Sequence, residues 1–154
     1  MKSIACNLLG SFSDAEDAVQ ETFLKVFRGA AAFRGTARFS TWIYRILLNA
    51  CHDARRRRRR RPEGEDIGED SSARLDLPAP GHDHPLRLEL EDSVARLPER
   101  PRTVFLLAAV EGFTHPEIGE ILGIPEGTSR TLLFEARREL QRLLWPGRHP
   151  EAAS

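Results

Sequence analysis

Between Pro62 and Pro85 the chain holds four prolines, three glycines, seven acidic residues, a single basic one (Arg74) and no aromatic residue in 24 positions. Such a stretch cannot bury enough apolar surface to offset the entropy of ordering it, so it must divide the chain rather than join a core. Folding has to occur on either side of it. Each flank has about 55 to 65 residues, and a domain that small buries only about 60% of its unfolded surface, so a large partner would supply useful contacts. The sequence predicts folded parts over 1–61 and 93–145, a flexible acidic linker over 62–92 and a tail over 146–154.

The formal net charge of +0 conceals a gradient along the chain. Residues 1–61 carry 13 basic and 5 acidic groups (+8), 62–100 carry 4 and 11 (−7), and 101–154 carry 6 and 7 (−1). An N-terminal part that meets a polyanion, next to a middle that avoids it, explains this distribution. Its longest apolar runs, such as Val104 to Val110, fall far short of the roughly 20 residues a bilayer span needs, and no signal-peptide layout follows Met1. The expectation is a cytoplasmic protein without membrane insertion. Cys6 and Cys51 form no Cys-x-x-Cys pair and read as small buried apolar residues.

Helical periodicity dominates both flanks, and no strand pattern occurs. Ser13 and Glu16 have the spacing of a capping box. Behind them Ala15, Ala18, Val19, Thr22, Phe23, Val26 and Phe27 recur as an amphipathic stripe, with Asp14, Asp17, Gln20, Glu21, Lys25 and Arg28 opposite. Gly29 and Gly35 bracket a break, after which Ser40 and Thr41 can cap a second long helix that enters the run Arg55 to Arg61. Like-charge repulsion is expected to fray that basic end.

In the C-terminal flank, helices are predicted over 99–111, 115–122 and 125–144. Thr114 and Glu117 form another capping box, Pro116 sits in the first turn, and Ile118, Ile121 and Leu122 face inward. Gly123 ends this helix and Pro125 opens the next, which makes a helix-turn-helix. Gly119 within the motif costs about 1 kcal/mol of helix propensity. The fold class is therefore all-α, with two small helical domains, the second a helix-turn-helix.

On the last helix an inner stripe of Leu133, Ala136, Leu140, Leu143 and Leu144 leaves Arg130, Thr131, Phe134 and Arg138 facing outward. An arginine there can bond guanine bidentately, a threonine can bond phosphate or a base edge, and an aromatic can touch a thymine methyl; a merely solvated face has the same pattern. In the N-terminal flank, Phe33, Arg34, Arg38, Phe39, Trp42, Tyr44 and Arg45 interleave aromatics with arginines, as binding of single-stranded DNA requires. Trp42 and Phe39 also suit a core, which leaves Phe33 and the loop residues as the better base contacts. The arginine run, including Arg55 and Arg56, suits a phosphate backbone through counterion release, or else a disordered basic segment. The five histidines are scattered, and no nucleophile elbow, P-loop or dinucleotide fingerprint is present, so no metal, cofactor or enzyme activity is expected.

Taken in order, these segments resemble the extracytoplasmic-function group of bacterial sigma factors. Asp14-Ala15-Glu16-Asp17-Ala18-Val19-Gln20-Glu21-Thr22-Phe23-Leu24 is similar to the core-binding helix of the second conserved region. Phe33-Arg34-Gly35 and Phe39-Ser40-Thr41-Trp42-Ile43-Tyr44-Arg45-Ile46, with Asn49 and Asp53, resemble the segment that opens and reads the minus-ten element. Leu97-Pro98-Glu99-Arg100, Val110-Glu111-Gly112-Phe113-Thr114, Glu117-Ile118, Leu122-Gly123-Ile124-Pro125-Glu126-Gly127-Thr128 and Ala136-Arg137 resemble the fourth region, which binds the minus-thirty-five element.

The resemblance implies that Asp17, Gln20 and Glu21 face bacterial core RNA polymerase and that Phe33, Asn49 and Asp53 help hold flipped bases of the non-template strand. It assigns Thr128, Arg130, Thr131, Phe134 and Arg138 to minus-thirty-five DNA. Leu132 and Glu135 stand where many members place basic residues, which implies fewer phosphate contacts. Members carry a further helix before the position of Ile4 to Leu9, so the first region is expected to be shortened at its N-terminus. The implied partners are core polymerase, promoter DNA as duplex and single strand, and an anti-sigma factor. A polymerase-independent helix-turn-helix regulator would account for the C-terminal flank alone, and an arginine-rich RNA-binding protein for the arginine run alone.

Overall fold

A computed structural model describes residues 1–60 and 85–146. Residues 62–84 of the expected linker, the last arginine of the run and the tail from 147 onward lie outside the described residues. Seven α-helices make up two compact units, and no strand occurs among the described residues. No helix in them is long and apolar enough to cross a membrane.

The N-terminal unit packs three helices together: α1 (Lys2–Leu9), α2 (Phe12–Gly29) and α3 (Phe39–Arg60). Ile4 and Leu8 of α1 meet a core completed by Leu47, Leu48 and Cys51 of α3. Helix α1 begins earlier than the predicted elements. The cap of α2 is Ser11, not Ser13: the Asp14 N–H donates to Ser11 Oγ at 3.3 Å, so the helix starts at Phe12 and takes Ser13 into its first turn.

The predicted stripe of α2 is only partly buried. Ala15, Ala18 and Thr22 lie inside, whereas Phe23 and Leu24 are exposed and Phe27 is 85% exposed. Close helix packing favours small residues at the contact line, which pushes the larger aromatics to the flank. Thr22 satisfies its buried hydroxyl by donating to Ala18 O at 2.7 Å.

A single 3-10 turn, Ala30–Ala32, follows α2. Helix α3 begins at Phe39, because the Trp42 N–H already donates to Arg38 O; Ser40 and Thr41 are inside the first turn and do not cap it. It continues through Arg60, so the expected fraying is not seen. Basic side chains there oppose the negative end of the helix dipole, and Arg57 also reaches Glu21 of α2.

In the C-terminal unit α4 (Pro85–Arg96) and α5 (Glu99–Phe105) both pack on α7 (Glu126–Leu144). The last eight residues of the expected linker, 85–92, are therefore helical. Val94 and Leu97 anchor this element, while Leu86, Leu88 and Leu90 remain exposed. The helix predicted over 99–111 changes pitch: beyond Phe105 it widens into a π turn, Leu106–Val110, in which the Glu111 N–H donates to Leu106 O at 3.1 Å.

Helix α6 (His115–Leu122) and α7 form the helix-turn-helix. Glu117 accepts from both the N–H and the hydroxyl of Thr114 at 2.8 Å, and Pro116 occupies the first turn. Gly123 ends α6 with φ 66°, a left-handed conformation that costs glycine least. Ile118 is fully buried. Gly119 has a role beyond its propensity cost, since a Cβ there would lie 2.8 Å from the Ile124 carbonyl oxygen. The turn closes on bare backbone.

Gly119→Ala is thus expected to destabilise the C-terminal unit despite its gain of up to about 1 kcal/mol in helix propensity, because overpacking costs about 1 to 3 kcal/mol. Thermal unfolding followed by circular dichroism tests this, and a raised midpoint would refute the close-approach role. The N-terminal core makes a second prediction. Burial, and secondarily Cys6, pushes the Cys51 thiol up to about 12 from an ordinary 9.0. The folded state therefore favours the protonated thiol, and this contribution is complete below pH about 9 and is lost as pH rises toward about 12. The midpoint of Cys51→Ala should fall less steeply than that of the parent over this alkaline window; parallel slopes would show that Cys51 does not govern it.

Candidate nucleic-acid interfaces

Helix α2 presents one outer line at spacings of three and four, made of Asp17, Gln20, Leu24 and Phe27, all exposed. The two apolar members were invisible as surface residues in the sequence because Phe27 also satisfied the core period. Glu21 is set back from this line. Lys25 Nζ lies 2.8 Å from its carboxylate and Arg57 3.5 Å, and the Lys25 hydrogen bond chiefly holds its carboxyl below the ordinary range. Glu21 consequently ties α2 to α3 as well as facing outward.

The loop joining these helices gathers its aromatics. Phe33, Phe39 and Trp42 form a triangle with ring centroids 5.0 to 5.7 Å apart, the Phe33–Phe39 pair edge-on at 75°. Phe39 is 50% exposed and so is not the core residue its pattern allowed; Phe33 and Trp42 are half-buried. Trp42 fits over Gly29, where an added Cβ would stand 3.1 Å from its ring.

Beside the triangle a cavity of about 240 Å³ is lined by Phe33, Arg34, Thr36, Thr41, Trp42 and Arg45, among others. That volume lies below the roughly 300 to 1,000 Å³ of drug-sized sites and suits one base. Thr41, only 2% exposed, contributes a hydroxyl with no hydrogen-bond partner. A buried polar atom left without a partner costs roughly 1 to 3 kcal/mol, which a ligand could recover. The sequence had presented Thr41 only as a cap.

Along α3, Arg45, Asn49, Asp53 and Arg56 are exposed at spacings of four, four and three, continuing one face away from the cavity. Arg34 and Arg38 are exposed on the loop, and Arg55 is half-buried. Tyr44 is a correction. It is buried on the inner side of α3 with Leu47 and Leu48, so its ring packs instead of meeting DNA.

In the C-terminal unit the predicted face of α7 is present. Thr128, Arg130, Thr131, Phe134 and Arg138 are exposed, with Phe134 66% accessible, while Leu133, Ala136 and Leu140 are buried. Leu143 and Leu144 are half-buried. Thr131 donates its hydroxyl to Gly127 O at 3.1 Å and so offers outward mainly its methyl group. Arg130 is paired one turn back with Glu126. Glu139 pairs with Arg142, whose hydrogen bond is the main reason its carboxyl sits below the ordinary range. His115 was one of five scattered histidines in the sequence, yet its Nδ1 lies 2.9 Å from the fully buried Ser129 Oγ. This contact joins α6 to α7 and helps fix the angle of the outward face. No cluster that could hold a metal occurs among the described residues.

An aromatic-lined cavity beside an arginine-bearing helix, together with a separate helix-turn-helix, places the chain among two-domain helical proteins. Comparison with known proteins specifies the class. Residues 1–61 match the family described as Sigma-70 region 2, and residues 87–140 match Sigma-70, region 4. The ECF RNA polymerase sigma-E factor of Haemophilus influenzae is 34% identical over 146 residues, covering 88% of this chain and 77% of the relative. The RNA polymerase sigma-H factor of Pseudomonas aeruginosa is 34% identical over 144 residues, with 86% and 74% covered.

Among solved structures, the sigma factor RpoE in complex with the anti-sigma factor NepR from Bartonella quintana superposes with a TM-score of 0.72 over 96% of this chain and 91% of that one; at 24% identity it establishes the fold. CnrH in complex with the cytosolic domain of CnrY gives 0.68 at 25% identity, over 96% and 81%. The chain belongs to the extracytoplasmic-function group of the sigma-70 family. It is an RNA polymerase sigma factor that directs initiation at specific promoters, and it is not itself an enzyme.

Proposed function

We propose that the N-terminal unit holds core RNA polymerase on the outer face of α2 and captures an unpaired base of the minus-ten strand in the cavity at the α2–α3 loop. The observation that carries this reading is the cavity itself, where the Phe33 and Trp42 rings adjoin the unpartnered Thr41 hydroxyl. A base can stack on the rings while one of its edge groups bonds Thr41, and Arg34, Arg38 and Arg45 neutralise the flanking phosphates. Farther along α3, Asn49, Asp53, Arg55 and Arg56 follow the strand. Asp17, Gln20, Leu24 and Phe27 supply a mixed acidic and apolar docking line for polymerase, with Glu21 bracing it against α3.

The C-terminal unit, taken as 85–145, lays α7 in the duplex at the minus-thirty-five element. Arg130 addresses a guanine edge, the Thr131 methyl and the Phe134 ring address thymine methyls, and Thr128 and Arg138 hold the backbone. The residues between the units tether the two readings. We infer that the chain acts in the cytoplasm with the polymerase. We also infer that an anti-sigma protein is a further partner, since NepR occupies that role for the similar sigma factor from Bartonella quintana.

Two measurements test the N-terminal assignments. Phe33→Ala in the reconstituted holoenzyme should weaken strand capture by about 1 to 3 kcal/mol, the worth of one stacked base, read as lost permanganate reactivity in the open complex. Unchanged strand opening would remove Phe33 from the site. Asp17→Lys together with Leu24→Lys should weaken association with purified core polymerase at least about tenfold, or 1.4 kcal/mol, with helix content unchanged. Intact association would shift the core-binding surface elsewhere and favour a polymerase-independent regulator.

A further inference from the structure

A charge count makes the behaviour of the helix-turn-helix unit unusual for a duplex binder. Over residues 85–146 there are eight arginines and no lysine against ten acidic residues, a net of −2. The helix that would enter the groove carries Glu126 in its first turn and Glu135 midway, against Arg130, Arg137, Arg138 and Arg142. Arg142 is engaged by Glu139 and Arg130 by Glu126, each pair on one side of the same helix. Both members of the Arg130–Glu126 pair are largely solvent-exposed, at 63% and 44%. The pairing therefore does not reflect a need to neutralise buried charge.

Its effect follows from the chemistry of the guanidinium. Arginine has five N–H donors and no acceptor, and it bonds phosphate and the guanine O6/N7 edge with the same planar fork. A free arginine prefers any phosphate within reach, since there the acceptor as well as the donor carries a full charge. With one nitrogen already committed to Glu126, the remaining donors are presented beside a fixed negative charge. A phosphate approaching them meets that charge. A guanine edge, whose acceptors carry only partial charge, is opposed far less.

Resting on the assignment of Arg130 as a base reader, we infer that Glu126 is a specificity-determining residue: it withholds Arg130 from phosphates and directs it to a guanine edge. Glu126 does this from the first turn of α7, where its charge is also favoured by the helix dipole. The unit gives up non-specific affinity and gains discrimination. Affinity then has to come from the N-terminal unit and from polymerase.

The test uses the full chain assembled with core polymerase, offered a promoter library randomised across the upstream element and, separately, a fixed duplex without promoter sequence over a range of salt. Parent, Glu126→Gln and Arg130→Ala are compared, with circular dichroism as a check on folding. Arg130→Ala should erase the preference at one base pair. Glu126→Gln should reduce preference at that same base pair about tenfold, bind the non-promoter duplex more tightly, and steepen the log–log salt slope by about 0.9, the value of one added phosphate contact. Preference and slope both unchanged in Glu126→Gln, with the Arg130→Ala effect present, overturn the role of Glu126 and leave Arg130 as reader. An Arg130→Ala library indistinguishable from the parent overturns the reader assignment, and the role of Glu126 with it.

Discussion

Ala15, Ala18 and Thr22 let α2 lie close against α1 and α3, and this approach decides which of its side chains reach solvent. Were the contact line built from Phe23 and Phe27, the helix would rotate and carry Asp17 and Gln20 away from a common outer face. Small residues inside place Leu24 and Phe27 outside, on the line that Asp17 and Gln20 begin. An exposed apolar residue flanked by carboxylates is poorly suited to water and well suited to a partner helix. The same packing brings Glu21 within reach of Arg57, so the outer face of α2 and the arginine-bearing end of α3 are braced by one carboxylate.

Close approach also governs the second unit, through backbone instead of side chains. The turn between α6 and α7 closes over Gly119, and His115 reaches Ser129 across the angle so formed. Neither contact touches the outward face of α7. Both set where that face points, and a base reader is useful only when its angle to the groove is fixed. The buried hydroxyl of Ser129 needs a partner, and His115 supplies one; a valine there would fill similar space without tying α6 to α7.

Much of this could be read from the chain, for identifiable reasons. The division into two helical parts was legible because Pro62 to Pro85 contains nothing that can form a core. The helix-turn-helix was legible because Thr114, Pro116, Glu117 and Gly123 each encode a local backbone event, independent of tertiary context. Period alone failed where two faces of a helix are both apolar, as with Phe27, and where a hydroxyl near a helix start could cap or lie inside the first turn, as with Thr41 and Ser13. Tyr44 was misread because alternation of aromatics with arginines says nothing about which side of a helix each occupies. The cavity, the orphaned Thr41 hydroxyl and the His115–Ser129 contact join positions separated in sequence or unspecified in rotamer, and no periodicity reports them.

On the proposed assignment, the unequal charges of the two units suit the different forms of DNA they would meet. A single strand offers few bonded edges until it is unstacked, so its capture depends on stacking and on cations that do not discriminate; residues 1–60, with 12 basic and 5 acidic groups, supply them. A duplex offers phosphates everywhere and base edges only in the groove, so a cationic reader there would bind the wrong sequence nearly as well as the right one. In the described C-terminal unit four of the eight arginines, Arg87, Arg96, Arg130 and Arg142, are instead paired with carboxylates on their own helix. The chain's overall neutrality owes more to the acidic stretch 61–84, net −5, than to the C-terminal unit, net −2, so most of the charge that offsets the +7 of residues 1–60 lies outside the helix-turn-helix.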